Sequence, residues 1–255
     1  QRLMTRDVSK IKPGRVGYSV WCDDNGQVID DGTIFHLEEG VYRICSQEHQ
    51  LDWFLTNTLG FDVSVEEETH DVAALAVQGP TSCAVLRDMG LAGIEELTPF
   101  GMTSFDFEGT SLMVSRTGYT GDLGYEIWMD ANDALPVFDA VMEAGKAHDI
   151  RMCGLDALDM VRIEAGFIAV YHEFLPADET VRTGRQHQVP AERVDRRATG
   201  HGRPVEVGIH HRDVRQVDGD SEQGIGQVLT QQGHCVGGHV QRARFGQRYI
   251  QDGHQ

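Results

Sequence analysis

From residue 15 to residue 183 the chain switches repeatedly between two hydrophobic periods, one near two residues and one near 3.6. Short alternating or β-branched runs at 18–21, 33–36 and 41–45 predict strands. Asp23-Asp24-Asn25-Gly26 follows the first of these and reads as a hairpin turn. Residues 50–58 predict a short helix with Leu51, Phe54 and Leu55 on one face and Gly60 as its stop. Residues 63–65 and 73–77 are again strands, and Pro80 opens a helix to about Met89 from its permitted first turn. Residues 105–107 and 112–115 pair over Glu108-Gly109, and 125–129 adds a further strand. A helix at 132–146 carries Leu135, Phe138, Val141 and Met142 at helical spacing, and one at 156–165 ends at Gly166. Strands and helices interleave and hairpins recur, so the predicted fold class is α+β, with mainly antiparallel sheets and packed helices.

The patterning fades after about Arg185, apart from a β-like piece at Val205-Glu206-Val207-Gly208-Ile209. Composition and charge change at the same place. The whole chain of 255 residues carries a net charge of −18. Through residue 181 there are 11 basic and 32 acidic side chains, and from Arg182 on 11 basic and 8 acidic, every basic one an Arg. The chain therefore divides into a patterned region, 1–182, and an Arg/Gln/His/Gly-rich tail, 183–255. Three readings of the tail stay open: a disordered polar segment, a shifted reading frame through GC-rich codons, and basic nucleic-acid binding. Against the last stands the scarcity of aromatics, with only Phe245 and Tyr249 present. No functional residue is expected there. The acidic main body repels nucleic acid and anionic membranes, so neither is an expected partner. The longest apolar runs, such as 167–171, are too short to cross a bilayer. Gln1-Arg2-Leu3 has no initiator Met and no secretory pattern, and reads as a fragment edge without a targeting signal. Five Cys without a CxxC pair suit reduced thiols and a cytoplasmic location.

Three segments are polar where core patterning does not require it. Gly26-Gln27-Val28-Ile29-Asp30-Asp31-Gly32 holds adjacent carboxylates, which on a strand point to opposite faces, so only one can serve a given pocket. Ser115-Arg116-Thr117-Gly118-Tyr119-Thr120-Gly121-Asp122-Leu123-Gly124-Tyr125-Glu126 has three glycines in seven positions, allowing close backbone approach to a ligand. It matches neither the phosphate-loop nor the dinucleotide glycine pattern. Gly154-Leu155-Asp156-Ala157-Leu158-Asp159 places carboxylates in the first turns of a helix, where they complement its dipole without any function. His residues 36, 49, 70, 148 and 172 lack metal-ligand spacing, and no nucleophile elbow or Cys–His motif appears.

Taken together these segments resemble the aminomethyltransferase family, the T-protein of the glycine cleavage system, and its folate-binding relatives, including the dimethylsulfoniopropionate demethylases. The resemblance runs from Arg6 to about Thr183. It is carried by Arg6-Asp7-Val8-Ser9-Lys10, Gly26-Gln27-Val28-Ile29-Asp30-Asp31, Val77-Gln78-Gly79-Pro80, Ser115-Arg116-Thr117-Gly118-Tyr119-Thr120-Gly121, Gly124-Tyr125-Glu126-Ile127, Gly154-Leu155-Asp156-Ala157 and Arg162-Ile163-Glu164-Ala165-Gly166. The resemblance implies a tetrahydrofolate-dependent one-carbon transferase whose folate-binding region is 1–182. It implies that Glu126 accepts the paired donors on the edge of the pterin, and that Tyr18 and Tyr119 line the pocket. Phe100 and Phe167 complete the implied folate-binding set. Asp31 is the implied catalytic carboxylate, orienting folate and assisting its nitrogen's attack on a cationic iminium carbon, with Asp30 turned away as a structural residue. The implied partner is a lipoyl carrier protein, the H-protein, or a small methylated amine or sulfonium substrate; no metal is implied. Two departures stand out. Leu158 occupies a position where the family has an Arg that meets folate, and the tail matches neither of the segments that follow in the family. The alternatives are a tetrahydrofolate-dependent demethylase of a small methylated compound and an inactive folate-binding protein.

Overall fold

In the computed structural model, residues 1–184, 227–231 and 239–245 are described. They form two sheets with helices packed against both. The first sheet has the order β1-β2-β3-β11-β4, from β1 (Arg15–Cys22), β2 (Val28–Glu38), β3 (Val41–Ser46), β4 (Val63–Glu67) and β11 (His239–Phe245). The second has the order β6-β7-β8-β5-β10-β9, from β5 (Val72–Gln78), β6 (Met102–Phe107), β7 (Thr110–Ser115), β8 (Gly124–Asp130), β9 (Arg151–Met152) and β10 (Gln227–Gln231). Every pairing is antiparallel except that of β9 with β10. The helices are α1 (Leu51–Asn57), α2 (Ser82–Asp88), α3 (Ala134–Gly145), α4 (Leu155–Ala165) and α5 (Ala177–Thr183). Of these, α2 and α3 pack on the outer face of the second sheet and α1 and α5 behind the first. The α+β class with mainly antiparallel sheets is therefore correct. Among the described residues no helix is long and apolar enough to cross a membrane.

Side-chain alternation gives the second sheet two different faces. Leu75, Val77, Leu112, Val114, Tyr125 and Ile127 point outward into a core shared with Val85 and Leu86 of α2 and Val137 and Val141 of α3. Ala74, Met113 and Trp128 point the other way and meet Val16 and Phe35 of the first sheet, where the Phe35 and Trp128 rings cross edge to face at 4.8 Å. The first sheet is likewise two-sided, with Trp21, Ile34, Ile44 and Phe54 forming a separate core behind it. A cleft between the sheets is thus built from one face of each.

The local signals hold at most turns. Asp23 closes the first hairpin by accepting from the N–H groups of Asn25 and Gln27, and Gly26 has φ +77°. The 107–110 hairpin turns through Glu108 and Gly109, both with positive φ. Gly166 ends α4 at φ +77°. Three expectations need correction. Pro80 lies two residues before α2, because 79–82 first makes a separate turn closed by Ser82 N–H donating to Gly79 O. Leu135 is 67% exposed; the buried stripe of α3 is Val137 and Val141, the side that meets the core on the second sheet. In α1 only Phe54 is buried, while Leu55 is exposed. The tail also differs from its pattern. Residues 227–231 and 239–245 are strands, and β11 fills the place between β3 and β4, while Val205-Glu206-Val207-Gly208-Ile209 lies outside the described residues.

Candidate functional site

Asp30 and Asp31 are separated by the pleat. Asp30 turns to the back of the first sheet, is fully buried, and accepts from the backbone N–H groups of Asp31 (2.8 Å) and Glu48 (3.0 Å) and from Gln50 Nε2 (3.2 Å). Its three donors make it a structural anchor, although burial still pushes its pKa up to about 7. Asp31 is on the cleft face with Val20 as its cross-strand partner. Tyr18, two residues back along β1, donates its hydroxyl to Asp31 Oδ2 at 2.6 Å. Burial raises the Asp31 pKa to about 6 and the Tyr18 bond partly offsets the rise. Burial followed by the Asp31 charge pushes the Tyr18 hydroxyl up as well. The register depends on Gly32, whose missing side chain leaves room for β3: a Cβ there would overlap the Cys45 carbonyl oxygen and lie 3.2 Å from the Trp21 ring.

Glu126 comes from the opposite wall. On β8 it shares a face with Trp128, and its cross-strand neighbours are Ala76 on β5 and Ser115 on β7. Thr117 donates to Glu126 Oε2 at 2.5 Å, and burial raises the Glu126 pKa against the lowering effect of the Thr117 and Ser115 hydroxyls. Tyr119 lies in the glycine-rich loop between β7 and β8. Its hydroxyl donates to the Ile168 carbonyl, and its ring stacks on Phe167 at 5.5 Å and 12°. Burial chiefly raises the Tyr119 pKa, the Arg162 charge opposes this, and the Asp31 charge adds to it, so Asp31, Tyr18 and Tyr119 form one electrostatic group. Phe100 joins through its backbone. At φ +58° it donates to Arg116 O (3.0 Å) and accepts from Val16 N–H (2.8 Å), tying the glycine-rich loop to β1 two residues before Tyr18. Its ring is about half exposed.

Several supporting residues have no strong signal of their own in the sequence. Gln78 is buried between Gly118 and Gly124, and donates to the carbonyls of Thr117 (3.3 Å) and Tyr125 (3.2 Å). A Cβ on either glycine would collide with the Gln78 amide, so the glycine spacing was its readable trace. Arg162 is 1% exposed, pairs with Asp159 and Glu173 at 2.6 Å each, and donates to Phe167 O at 3.0 Å, fixing the base of the Phe167–Tyr119 stack. Leu158 is buried against Ala76 and packs with Tyr119, Cys153 and Val161. A cavity of about 470 Å³ opens on the Trp128 side between the sheets, and one of about 370 Å³ lies between the glycine-rich loop and α4. Neither lining includes any of the six predicted site residues.

This arrangement offers an acceptor carboxylate, a second carboxylate beside a tyrosine hydroxyl, and aromatic faces, a set suited to a flat heterocycle with a donor edge. Comparison with known proteins identifies the family. The chain is 36% identical over 185 residues to an aminomethyltransferase from Bacillus subtilis strain 168, covering 71% of this chain and 51% of that protein. It is also 36% identical over 259 residues to a trimethylamine-oxide aldolase from Ruegeria pomeroyi, covering 97% of this chain and 32% of that one. The chain thus spans about half, or less, of these relatives' length. The crystal structure of the glycine cleavage system aminomethyltransferase T from Bartonella henselae superposes with a TM-score of 0.56 at 24% identity, over 69% of this chain and 47% of that one; it shares the fold. Residues 1–191 match the model of the GCVT N-terminal domain, and with three quarters of the sequence inside that match the chain belongs to this family.

Proposed function

We propose that this chain binds tetrahydrofolate in the cleft between its two sheets, and that the protein is a transferase moving an aminomethyl-derived one-carbon unit onto it. The observation that carries the reading is the pair of carboxylates on facing walls, Asp31 beside Tyr18 and Glu126 beside Thr117. The reduced pterin supplies the nucleophilic nitrogens that accept the carbon. Glu126 is held by the Thr117 and Ser115 hydroxyls, and in this reading its remaining lone pairs accept two parallel donors on the heterocycle edge. Tyr18, Tyr119, Phe167 and Phe100 supply aromatic surface. Asp31, with a pKa near 6, is charged at neutral pH and favours a developing cation beside it, yet can take up a proton there. The Tyr18 bond engages Oδ2, and in this reading Oδ1 is the oxygen that serves the reacting atoms. Leu158 supplies no guanidinium, so folate is held here without the cation that the family pattern has.

The donor in this reading is an aminomethyl group on a lipoyl carrier protein. A second reading, a small methylated amine as donor, is favoured by one observation: the match to the trimethylamine-oxide aldolase runs into the segment after residue 183, whereas the aminomethyltransferase match covers 71% of the chain. Both need the same acceptor cleft. Free thiols at Cys22, Cys83 and Cys153 suit a reducing, cytoplasmic setting.

The test is a thermal melt with and without reduced folate. Ligand at about 100 times its dissociation constant adds ~2.7 kcal/mol to the folded state. A wild-type shift that Glu126→Ala abolishes is the expected result. A cooperative wild-type melt with no shift would refute folate binding by this chain. Methylenetetrahydrofolate formed from the lipoyl-bound donor, or from a methylated amine, then separates the two donors.

A further inference from the structure

The hydroxyls beside Glu126 form a series that runs along the same face of the second sheet to Trp128. Trp128 Nε1 lies 3.3 Å from Ser115 Oγ, Ser115 Oγ lies 2.7 Å from Thr117 Oγ1, and Thr117 Oγ1 lies 2.5 Å from Glu126 Oε2. Ser115 is fully buried, and Trp128 and Thr117 nearly so. The direction of every bond follows from donor chemistry. An indole N–H only donates, so Ser115 Oγ is its acceptor. A carboxylate only accepts, so Thr117 gives its single hydroxyl proton to Glu126 and can only accept from Ser115, whose hydroxyl also lies within reach of the Glu126 carboxylate. Each hydroxyl then gives one proton and receives one.

We propose that Trp128, Ser115 and Thr117 form a one-way chain of hydrogen bonds that holds Glu126 as an oriented acceptor, and that all three are positioning residues for the donor edge of the bound heterocycle. The second clause rests on the folate reading above; the first does not. The chain also links the site to the packing between the sheets, because the Trp128 ring that starts it is the one wedged against Phe35. Both cross-strand neighbours of Glu126, Ala76 and Ser115, are uncharged, so hydroxyl donors rather than an ion pair set its state. Thr117 can rotate its proton only within this geometry, since its carbonyl is held by Gln78 and its loop by Phe100 and Arg116.

The experiment follows the carboxyl carbons of ¹³C-labelled glutamate by NMR in the full chain, with Glu126→Gln identifying the Glu126 signal. Thr117→Val removes the donor to the charged form, so the Glu126 midpoint should rise by about one to two pH units, the worth of a hydrogen bond to a charged group. Thr117→Ser should restore it. Ser115→Ala, which also removes a hydroxyl that reaches the carboxylate itself, should raise it too, and Trp128→Phe, acting at a distance, should raise it less. Should Thr117→Val fail to fold, Ser115→Ala alone decides: a midpoint equal to wild type overturns the chain. An unmoved midpoint in folded Thr117→Val does the same, even when Glu126→Ala abolishes the folate-dependent melt shift and the functional reading stands. A raised midpoint in Thr117→Val, with folate affinity lowered and then recovered in Thr117→Ser, supports both clauses. A raised midpoint with Glu126→Ala still binding folate as wild type does overturns the ligand-positioning clause.

Discussion

Replacing Asp31 by Asn should make this protein more stable at neutral and higher pH and leave it little changed in acid. In the folded state the Asp31 pKa rises from 3.8 to about 6, burial being the main cause. Between those values the folded state binds more protons than the unfolded chain, so stability falls as pH rises. The loss begins near pH 4 and is complete above about pH 6. At ~1.36 kcal/mol per pH unit it amounts to at most ~3 kcal/mol, and the solvent reaching this partly exposed group reduces it, so ~1–3 kcal/mol is expected. Asn is neutral throughout and can still accept the Tyr18 hydroxyl, so the variant escapes the pH-dependent cost while keeping the bond. Removing the Asp31 charge also relieves Asp30, whose pKa is raised in part by it, and this works in the same direction. Urea unfolding of both proteins, followed by tryptophan fluorescence at about pH 8 and about pH 4, measures the effect. The gap in favour of Asp31→Asn should be larger at the higher pH. An equal gap at both pH values, or one that widens in acid, would refute the claim that a charged Asp31 is held at a cost. A stabilised variant that has lost transfer activity would be the expected cost of a functional carboxylate.

Two further outcomes follow from the supports of the site. Gly32→Ala drives a methyl into the Cys45 carbonyl of the paired strand, so it should cost about 3 kcal/mol and lower the melting temperature by roughly 6–12 °C in calorimetry. Arg162→Ala leaves the half-exposed Asp159 and Glu173 carboxylates without their shared cation and removes the donor to Phe167 O; ~1–3 kcal/mol of lost stability is expected in urea unfolding, with Arg162→Met less affected.

The local sequence determined most of the elements and their turns. Asp23 and Gly26 close the first hairpin by contacts within five residues, and Gly166 takes the positive φ that caps α4. The pleat alone required that Asp30 and Asp31 part company, and the resemblance named Asp31 as the one in the cleft. Short-range patterning could not decide which side of α3 or α1 would be covered, because Leu135 and Val137 are equally apolar and only the position of the second sheet selects Val137. Nor could it place β10 and β11, whose strand partners are β3, β4, β5 and β9, all distant along the chain: pairing of this kind is selected by complementary edges in the folded state. The site follows the same division. Residue types at Tyr18, Asp31, Tyr119 and Glu126 were legible, but the direction of the Trp128–Ser115–Thr117 hydrogen bonds, the seating of Gln78 between two glycines and the Arg162 anchor depend on side chains that meet only across strands, where burial forces each polar group to find a partner.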